Sequence, residues 1–418
     1  MRVHKGWLIL FLIVLSVFAC LGFGRFSFGA ILPFMREGLH FDYRETGLIA
    51  SSIFLGYLLS VTSVGYFVIR FQAKRVIIFS LLLIGLAMIV TANASSFVHA
   101  YIGCFFIGVG SGGAYVPSLG LIGQWFSPKM RGMVMGIVMA GAGFGIVFSG
   151  IVVPVIVEIA DGTGWRLSWY ILSITVIIIA VLHVLFLRNT PSDINLSPIA
   201  SSKEKKNPAA REEAEEVLKT DTVYRNKTLW FIGILYFLWG IAYLIFSTFL
   251  VDYLIVDRGF NSSQAGLFFA AAGAASIVSG FIWGSVSDKI GRMPALAFVY
   301  FIQFFMLVFL SISTHTGLIL VQVLLYGITL WGVPTIMNAS AGDYVRVKFV
   351  PVAMGFITLL FSIGQLISPI ITGFLIDYTQ SYLSAFLLSA VLTFIAGAGA
   401  VYLQASQRKQ WKETAPHI

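Results

Sequence analysis

The sequence predicts an all-α integral membrane protein, with twelve transmembrane helices in two pseudo-symmetric six-helix bundles. Three observations predict it. Of the 418 residues, 58% are hydrophobic and 11% charged, against about 25% charged in an ordinary soluble domain. That is too little charge to coat a soluble body of this size. Apolar runs of the length a bilayer requires, about 20 residues, recur twelve times. Basic turns then recur at matching points of the two halves. Composition excludes a soluble enzyme, a disulfide-rich secreted domain and a disordered chain.

The runs fall at 7–35, 45–69, 75–97, 98–126, 132–157, 166–188, 228–253, 265–287, 294–313, 316–342, 350–376 and 380–404. They are rich in Gly, Ala, Leu and Ile and lack period-two alternation, so they read as helices and not as strands of a lipid barrel. Several exceed the bilayer's thickness, which predicts tilt or overhang. Arg2, Lys5 and Ala19–Cys20 outline a signal peptide superficially. The apolar run resumes past Arg25 as far as Met35, and an uncleaved first helix is expected. Cys20 and Cys104, each inside an apolar run, read as buried small hydrophobes.

The longest break divides the chain into 1–188, a linker at 189–227, and 228–418. Asn207–Pro208 followed by Glu212, Glu213, Glu215 and Glu216 predicts a short helix over 209–219. A solvated linker is the alternative.

Basic residues in the loops set the orientation. With the N-terminus inside, 22 of the 27 Lys and Arg fall on the cytosolic side. Only Arg36, Arg44, Arg166 and Arg258 fall outside, and Arg25 belongs to neither side. Both termini are therefore expected in the cytosol. The net charge of +9 reads as topology in an inner (cytoplasmic) membrane protein, with the lipid bilayer and not nucleic acid as partner.

The midway break suggests a repeat. Gly65 opens a basic turn with Arg70, Lys74 and Arg75 after the second run. Gly284 opens another, with Asp288, Lys289, Gly291 and Arg292, after the eighth. Pro117 and Pro334 occupy like places in the fourth and tenth runs. Two six-helix halves related by an axis along the membrane normal follow.

Here the sequence resembles the major facilitator superfamily along its whole length. Gly284, Asp288, Lys289, Gly291 and Arg292 fit every fixed position of that superfamily's helix 8–9 loop signature. Trp125 to Gly132, including Arg131, and then Gly136, Gly141, Gly143 and Gly145, look like its helix 4–5 junction and glycine-rich fifth helix. Gly164-Trp165-Arg166 is familiar as well. Ile69 stands where the helix 2–3 loop usually has Asp, and Cys104 where the fourth helix often has Arg. Gly22 to Phe26 with Leu32 to Met35, and Phe361 to Gln365 with Ser368-Pro369, look like a bacterial branch, the YbfB-like transporters. The helix 4–5 region is also similar to monocarboxylate and oxalate/formate carriers, although run eight lacks the arginine of the latter. The resemblance implies alternating access by a monomer, with protons as the coupling ion. It also implies gating by Gly284, Asp288, Lys289, Gly291, Arg292 and Arg131.

Arg25 is the most informative residue. At 1.5 Å per residue it lies about 16 Å inside Arg36 and about 30 Å from Lys5. A cation at that depth costs at least about 2.5–3.5 kcal/mol and calls for a partner or a wet cavity. Either it captures an anionic substrate, a carboxylate for which the guanidinium fork is suited, or it forms an ion pair with Asp252 or snorkels outward. Gly22, Gly24 and Gly29 beside it permit unwinding or close helix approach.

Candidate wall residues are Tyr115 and Ser118 on run four, Asn338 on run ten, and Ser362 and Gln365 on run eleven. Trp239 and Tyr243 belong to an aromatic stripe, Tyr236–Trp239–Tyr243–Phe246, that reads as packing or as a sandwich for a substrate's apolar part. His183 reads as a buried histidine, and Gln303 and Gln322 as locally satisfied. No nucleophile–base set, paired carboxylates or metal cluster stands at membrane depth, so neither an enzyme nor a cofactor or metal is expected. The function expected is secondary transport of a small organic anion. A drug exporter of the same fold, or a non-transporting sensor, is the alternative.

Overall fold

The structure is a computed structural model that describes residues 4–127, 130–160, 162–199, 221–345 and 349–414. The helix expected over 209–219 lies outside these residues. Twelve helices are long and apolar enough to cross a membrane. They are α1 (Lys5–Leu39), α2 (Tyr43–Phe71), α3 (Ala73–Ala92), α4 (Phe97–Trp125), α5 (Arg131–Ile159) and α6 (Gly164–Phe186), then α7 (Lys227–Val256), α8 (Ser262–Ile290), α9 (Arg292–Ile312), α10 (Thr316–Tyr344), α11 (Val350–Thr379) and α12 (Tyr382–Thr414). Each matches one apolar run and extends past it at one or both ends. Among the described residues no strand forms, only one isolated bridge between Phe126 and Ile199.

Local chemistry sets many boundaries. Asp42 and Glu45 make a reciprocal capping box at the start of α2, and Asn261 and Gln264 do the same for α8. Ser96 caps α4 and Asn226 caps α7. Each cap satisfies amides that a helix start leaves without partners.

The sharpest sign of a repeat lies at the basic turns. A single residue with positive φ joins α2 to α3, namely Gln72 (φ 70°, ψ 150°), and another joins α8 to α9, namely Gly291 (φ 96°, ψ 156°). Gly65 and Gly284 stand seven residues before them, so the same bend recurs at the same register. Only glycine adopts that region without strain, and a side chain there costs about 1–3 kcal/mol. Gln72 holds it because Asn189 clamps the turn. The Asn189 amide donates to Gln72 Oε1 at 3.1 Å, and its Oδ1 accepts from the Lys74 backbone at 2.8 Å.

Two spanning helices are irregular. In α1, nine residues, Phe18–Phe26, are π-helical, where such turns are ordinarily single and mark functional sites. The Gly22 carbonyl accepts both the Ser27 amide and the Ser27 hydroxyl, the latter at 3.2 Å. Glycine is required here. A Cβ on Gly22 would stand 2.6 Å from the Gly145 Cα, and one on Gly24 would strike Ser111 Oγ. The second irregular helix, α10, breaks at Trp331, between Thr316–Leu330 and Gly332–Ala341.

Among the described residues, the interface between the first and last six helices is tightest at one face. Toward the face opposite the basic turns, a Cβ at Gly29 would stand 2.7 Å from the Ser247 carbonyl of α7. One at Gly150 would stand 2.6 Å from the Gly266 carbonyl of α8, and one at Gly47 would strike the Pro369 carbonyl of α11. Toward the basic face, Gly132 and Gly136 of α5 and Gly355 of α11 have nothing within 4 Å. Among the described residues the halves thus meet closely at the far face and not at these positions of the basic one.

Replacing Gln72 by glycine removes the backbone strain. The Gln72→Gly protein is expected to melt a few degrees above the parent in detergent, a gain of about 1 kcal/mol, whereas Gly291→Ala should melt lower. Equal melting temperatures for parent and Gln72→Gly would contradict the strained turn.

Candidate substrate site between the two halves

Arg25 is the penultimate residue of the π segment of α1 and faces the seam. Its guanidinium lies over the rings of Tyr57 and Phe54 of α2, 4.5 and 4.9 Å from their centroids. Its Nη2 donates to Tyr243 Oη of α7 at 3.4 Å. Gln365 Nε2 of α11 donates to the same phenol oxygen. Cation–π contacts are worth about 0.5–2 kcal/mol each, enough to hold the head in place and not enough to discharge it. Among the described residues no carboxylate lies within ion-pair distance of Arg25. Its Nε and Gln365 Oε1 are buried and without partners.

The aromatic stripe serves as a scaffold for this cluster. Trp239 stacks on Tyr243 at 4.5 Å and 13°, and Phe361 of α11 stacks on Tyr236 at 4.2 Å and 9°. Phe361 also lies nearly parallel to Trp239 and Tyr243. The ring faces are used on one another, which is packing and not a slot for a substrate. Trp239 is fully buried, and its indole N–H goes to Gln303 Oε1 of α9 at 2.8 Å, while Gln303 Nε2 reaches Thr329. Trp239 therefore holds Tyr243 in position and has no free polar atom to offer a ligand.

The other sequence candidates separate clearly. Ser118 is buried with its hydroxyl unpartnered. Tyr115 remains half-buried, its hydroxyl 3.8 Å from Met139 Sδ, and Asn338 is half-buried. Ser362 gives its hydroxyl to the Thr358 carbonyl of its own helix at 2.9 Å. His183 is buried and tied to Ser16, Leu12 and Ile179, so it pins α6 to α1. Gln322 Nε2 reaches Ser313, but its Oε1 has no partner, so local satisfaction there is half complete.

Asp252 is not the partner of Arg25. Eleven residues along α1, Arg36 takes it, Nη2 to Oδ1 at 3.0 Å, with the carboxylate fully buried. Tyr382 of α12 donates its hydroxyl to the other oxygen. Arg36 also covers the Tyr43 ring at 4.4 Å. Nearby, Arg44 of α2 pairs with Asp377 of α11 at 2.6 Å, and Ser263 of α8 donates to Glu158 of α5 at 2.6 Å. Each joins one half to the other, all at the far face. Just past α7, burial pushes the Asp257 carboxyl up, against the Tyr382 amide and Arg258.

At the basic face the gating candidates meet only their own halves among the described residues. Arg292 pairs with Asp288 at 2.5 Å, donates to Ser287 at 2.6 Å and lies 3.9 Å from Asp343. Arg131 donates to the carbonyls of Gly123 and Phe126 at 2.9 and 3.4 Å. Gly291 supplies the bend, Gly284 accepts the Ser287 hydroxyl through its carbonyl, and Lys289 is exposed.

Residues 14–348 and 332–416 match the Major Facilitator Superfamily. The chain belongs to that family. Among its relatives is a probable sulfoacetate transporter of Cupriavidus necator, 24% identical over 91% of this chain and 89% of the relative. Another is a hexuronate transporter of Bacillus subtilis, 25% identical over 94% and 93%. A bacterial homolog of the human lysosomal transporter Spinster shares the fold, with a TM-score of 0.78 at 15% identity over 97% of this chain and 98% of that one. The family and these neighbours are transporters, not enzymes, and this facilitator is a multi-pass membrane protein.

Sequence reasoning missed Phe54, Tyr57 and Tyr382, and the pairing with Asp252 that it offered Arg25 as one alternative belongs to Arg36. The rings carry no charge to mark them. Arg36 looked like one more loop cation because it stands at the end of its run.

Neutralising the buried carboxylate should loosen the far face. Losing one partner of a buried pair costs about 3–5 kcal/mol. The native cysteines are both buried, so a reporter cysteine at Thr248, buried on α7 against Gly29 of α1 at that face, should read the change. In Asp252→Asn, Thr248→Cys should react with a membrane-impermeant thiol reagent about tenfold faster or more from the far face. An unchanged rate would mean that the pair does not hold that face shut.

Proposed function

We propose that this facilitator is a secondary transporter that moves a small organic anion, a carboxylate, across the inner (cytoplasmic) membrane by alternating access. The observation that carries this reading is Arg25. It is a guanidinium near the middle of a spanning helix with no carboxylate beside it among the described residues, and with unpartnered polar atoms of its own and of Gln365 around it. Burying a charge so is costly unless a ligand or water meets it. An anion at Arg25 also meets Tyr243, whose oxygen already accepts from Arg25 and Gln365 and whose own proton is free to donate. Ser118, Tyr115 and Asn338 complete the polar wall, while Trp239 and Ser362 support it. The named substrates of the two relatives, sulfoacetate and hexuronate, are organic anions.

The basic face is the cytosolic one in this reading, because the sequence assigns 22 of the 27 basic residues to segments on that side. Both termini are then cytosolic, and the arrangement described above is open inward. Opening outward requires the Arg36–Asp252 and Arg44–Asp377 pairs to part. It also requires the cytosolic ends of α2, α5, α8 and α11 to close, where Asp288, Arg292 and Arg131 become available to the opposite half. Coupling to protons, and a monomeric state, come to this reading from the family resemblance.

Arg25→Gln tests the reading. Charge-assisted hydrogen bonds of this kind are worth about 1.5–3 kcal/mol, or 10- to 100-fold in affinity. Carboxylates that raise the melting temperature of the purified protein should stop doing so in Arg25→Gln, and uptake into proteoliposomes should fall by the same factor. Anion uptake at the parental rate in Arg25→Gln would sink the proposal. Proton symport predicts faster uptake as the outside is acidified, and a pH-independent rate would remove the proton from the scheme.

A further inference from the structure

The break in α10 has no role in anchoring an anion at Arg25, yet it meets the same stretch of α1. Trp331 stands at the break, edge-on to Phe26 with centroids 5.7 Å apart and planes at 79°. Phe26 is the chain neighbour of Arg25 and the last residue of the π segment. The two irregular stretches, one from each half, therefore face each other across the seam. Discontinuous spanning helices are tolerated where they line a cavity, and transporters place substrates between them.

The break is built, not frayed. Ser279 Oγ of α8 accepts the backbone N–H groups of both Trp331 and Gly332, at 3.0 and 3.1 Å. Gly332 packs on the Trp283 ring, where a Cβ would stand 2.7 Å from Cγ. The backbone is thus satisfied, but the side chain is not. Trp125, Trp230, Trp239 and Trp283 each give the indole N–H to an oxygen. Trp331 Nε1 is buried and gives it to none. Trp169 also lacks an acceptor, but it sits on α6, which packs mainly against α3. On the same helix as Trp331, Tyr326 is buried with its hydroxyl unpartnered. It stacks on Phe246 at 3.8 Å, one turn along α7 from Tyr243. An indole nitrogen can only donate, and a buried donor without an acceptor is costly.

We infer that the substrate is a two-headed anion, with its charged group at Arg25 and Tyr243 and a second, hydrogen-bond-accepting group at the Trp331 indole N–H. The second group is a hydroxyl, a keto oxygen or another acid group. This rests on the organic-anion reading above and narrows it. A one-headed anion fills the Arg25 end and leaves the indole donor bare. A two-headed one joins α1 of the first half to α10 of the second, so its affinity depends on both halves.

The test uses the full-length protein and small acids matched in carbon number. Acetate and propanoate are the one-headed probes, and glycolate, lactate and malonate the two-headed ones. Thermal stabilisation and competition for uptake in proteoliposomes are measured for the parent, Trp331→Phe and Trp331→His. The parent should favour the two-headed acids about tenfold or more, the worth of one well-placed hydrogen bond. Trp331→Phe should abolish that preference by weakening only the two-headed acids, and Trp331→His, which keeps an N–H, should restore part of it. Equal affinities for the two sets in the parent would overturn the inference. So would an equal loss for both sets in Trp331→Phe. If Trp331→Phe does not fold, the parent's preference decides alone. Failure of every acid to bind the parent would instead overturn the organic-anion reading itself, and Arg25→Gln separates the cases by removing both sets together.

Discussion

A guanidinium cannot sit at mid-depth in a bilayer without compensation, and much of this molecule is arranged around that constraint. Two rings of α2 cover the Arg25 head, Tyr243 of α7 accepts from it, and Gln365 of α11 braces Tyr243. The aromatic stack of Tyr236, Trp239 and Phe361 then fixes Tyr243. Even the backbone of α1 is involved, since its wide turn delivers Arg25 to the seam. None of these groups cancels the charge. They hold it still and leave it available, which is what a binding site for an anion requires and a structural ion pair does not.

The resulting site is shared by helices from both ends of the sequence. Tyr57 and Arg25 come from the first half, Tyr243 and Gln365 from the second. A ligand at this point touches both bodies that must move against each other. Its differential contacts with the two halves are the only means by which it can bias their arrangement.

The fold was largely legible in the sequence because hydrophobic length and basic turns are local signals. Each apolar run became a helix, and Gly291 marked its bend in advance. Gln72 did not, because no sequence signal assigns a left-handed conformation to a glutamine. The importance of Arg25 was legible from depth alone. Its surroundings were not, because the partners of a membrane arginine are chosen by helix packing. Asp252 seemed available to it, yet Arg36 stood nearer in space. The α10 break was hidden for a related reason, and the π turn was legible only as the unwinding that Gly22, Gly24 and Gly29 permit. Both depend on a serine, Ser27 or Ser279, satisfying backbone groups at close range, and an isolated serine in an apolar run carries no such signature.

The ion pairs at the far face have a further thermodynamic meaning. They stabilise the state described here without touching the Arg25 cluster, and in the proposed cycle of alternating access that state is one of two. A ligand approaching from the shut side finds only the fraction of molecules in which these pairs are parted, and its apparent affinity is reduced by that fraction. A ligand approaching from the open side meets no such reduction. In the proposed cycle, a buried carboxylate some distance from Arg25 thus makes the two faces of one site unequal, and it sets how strongly one direction of loading is favoured over the other.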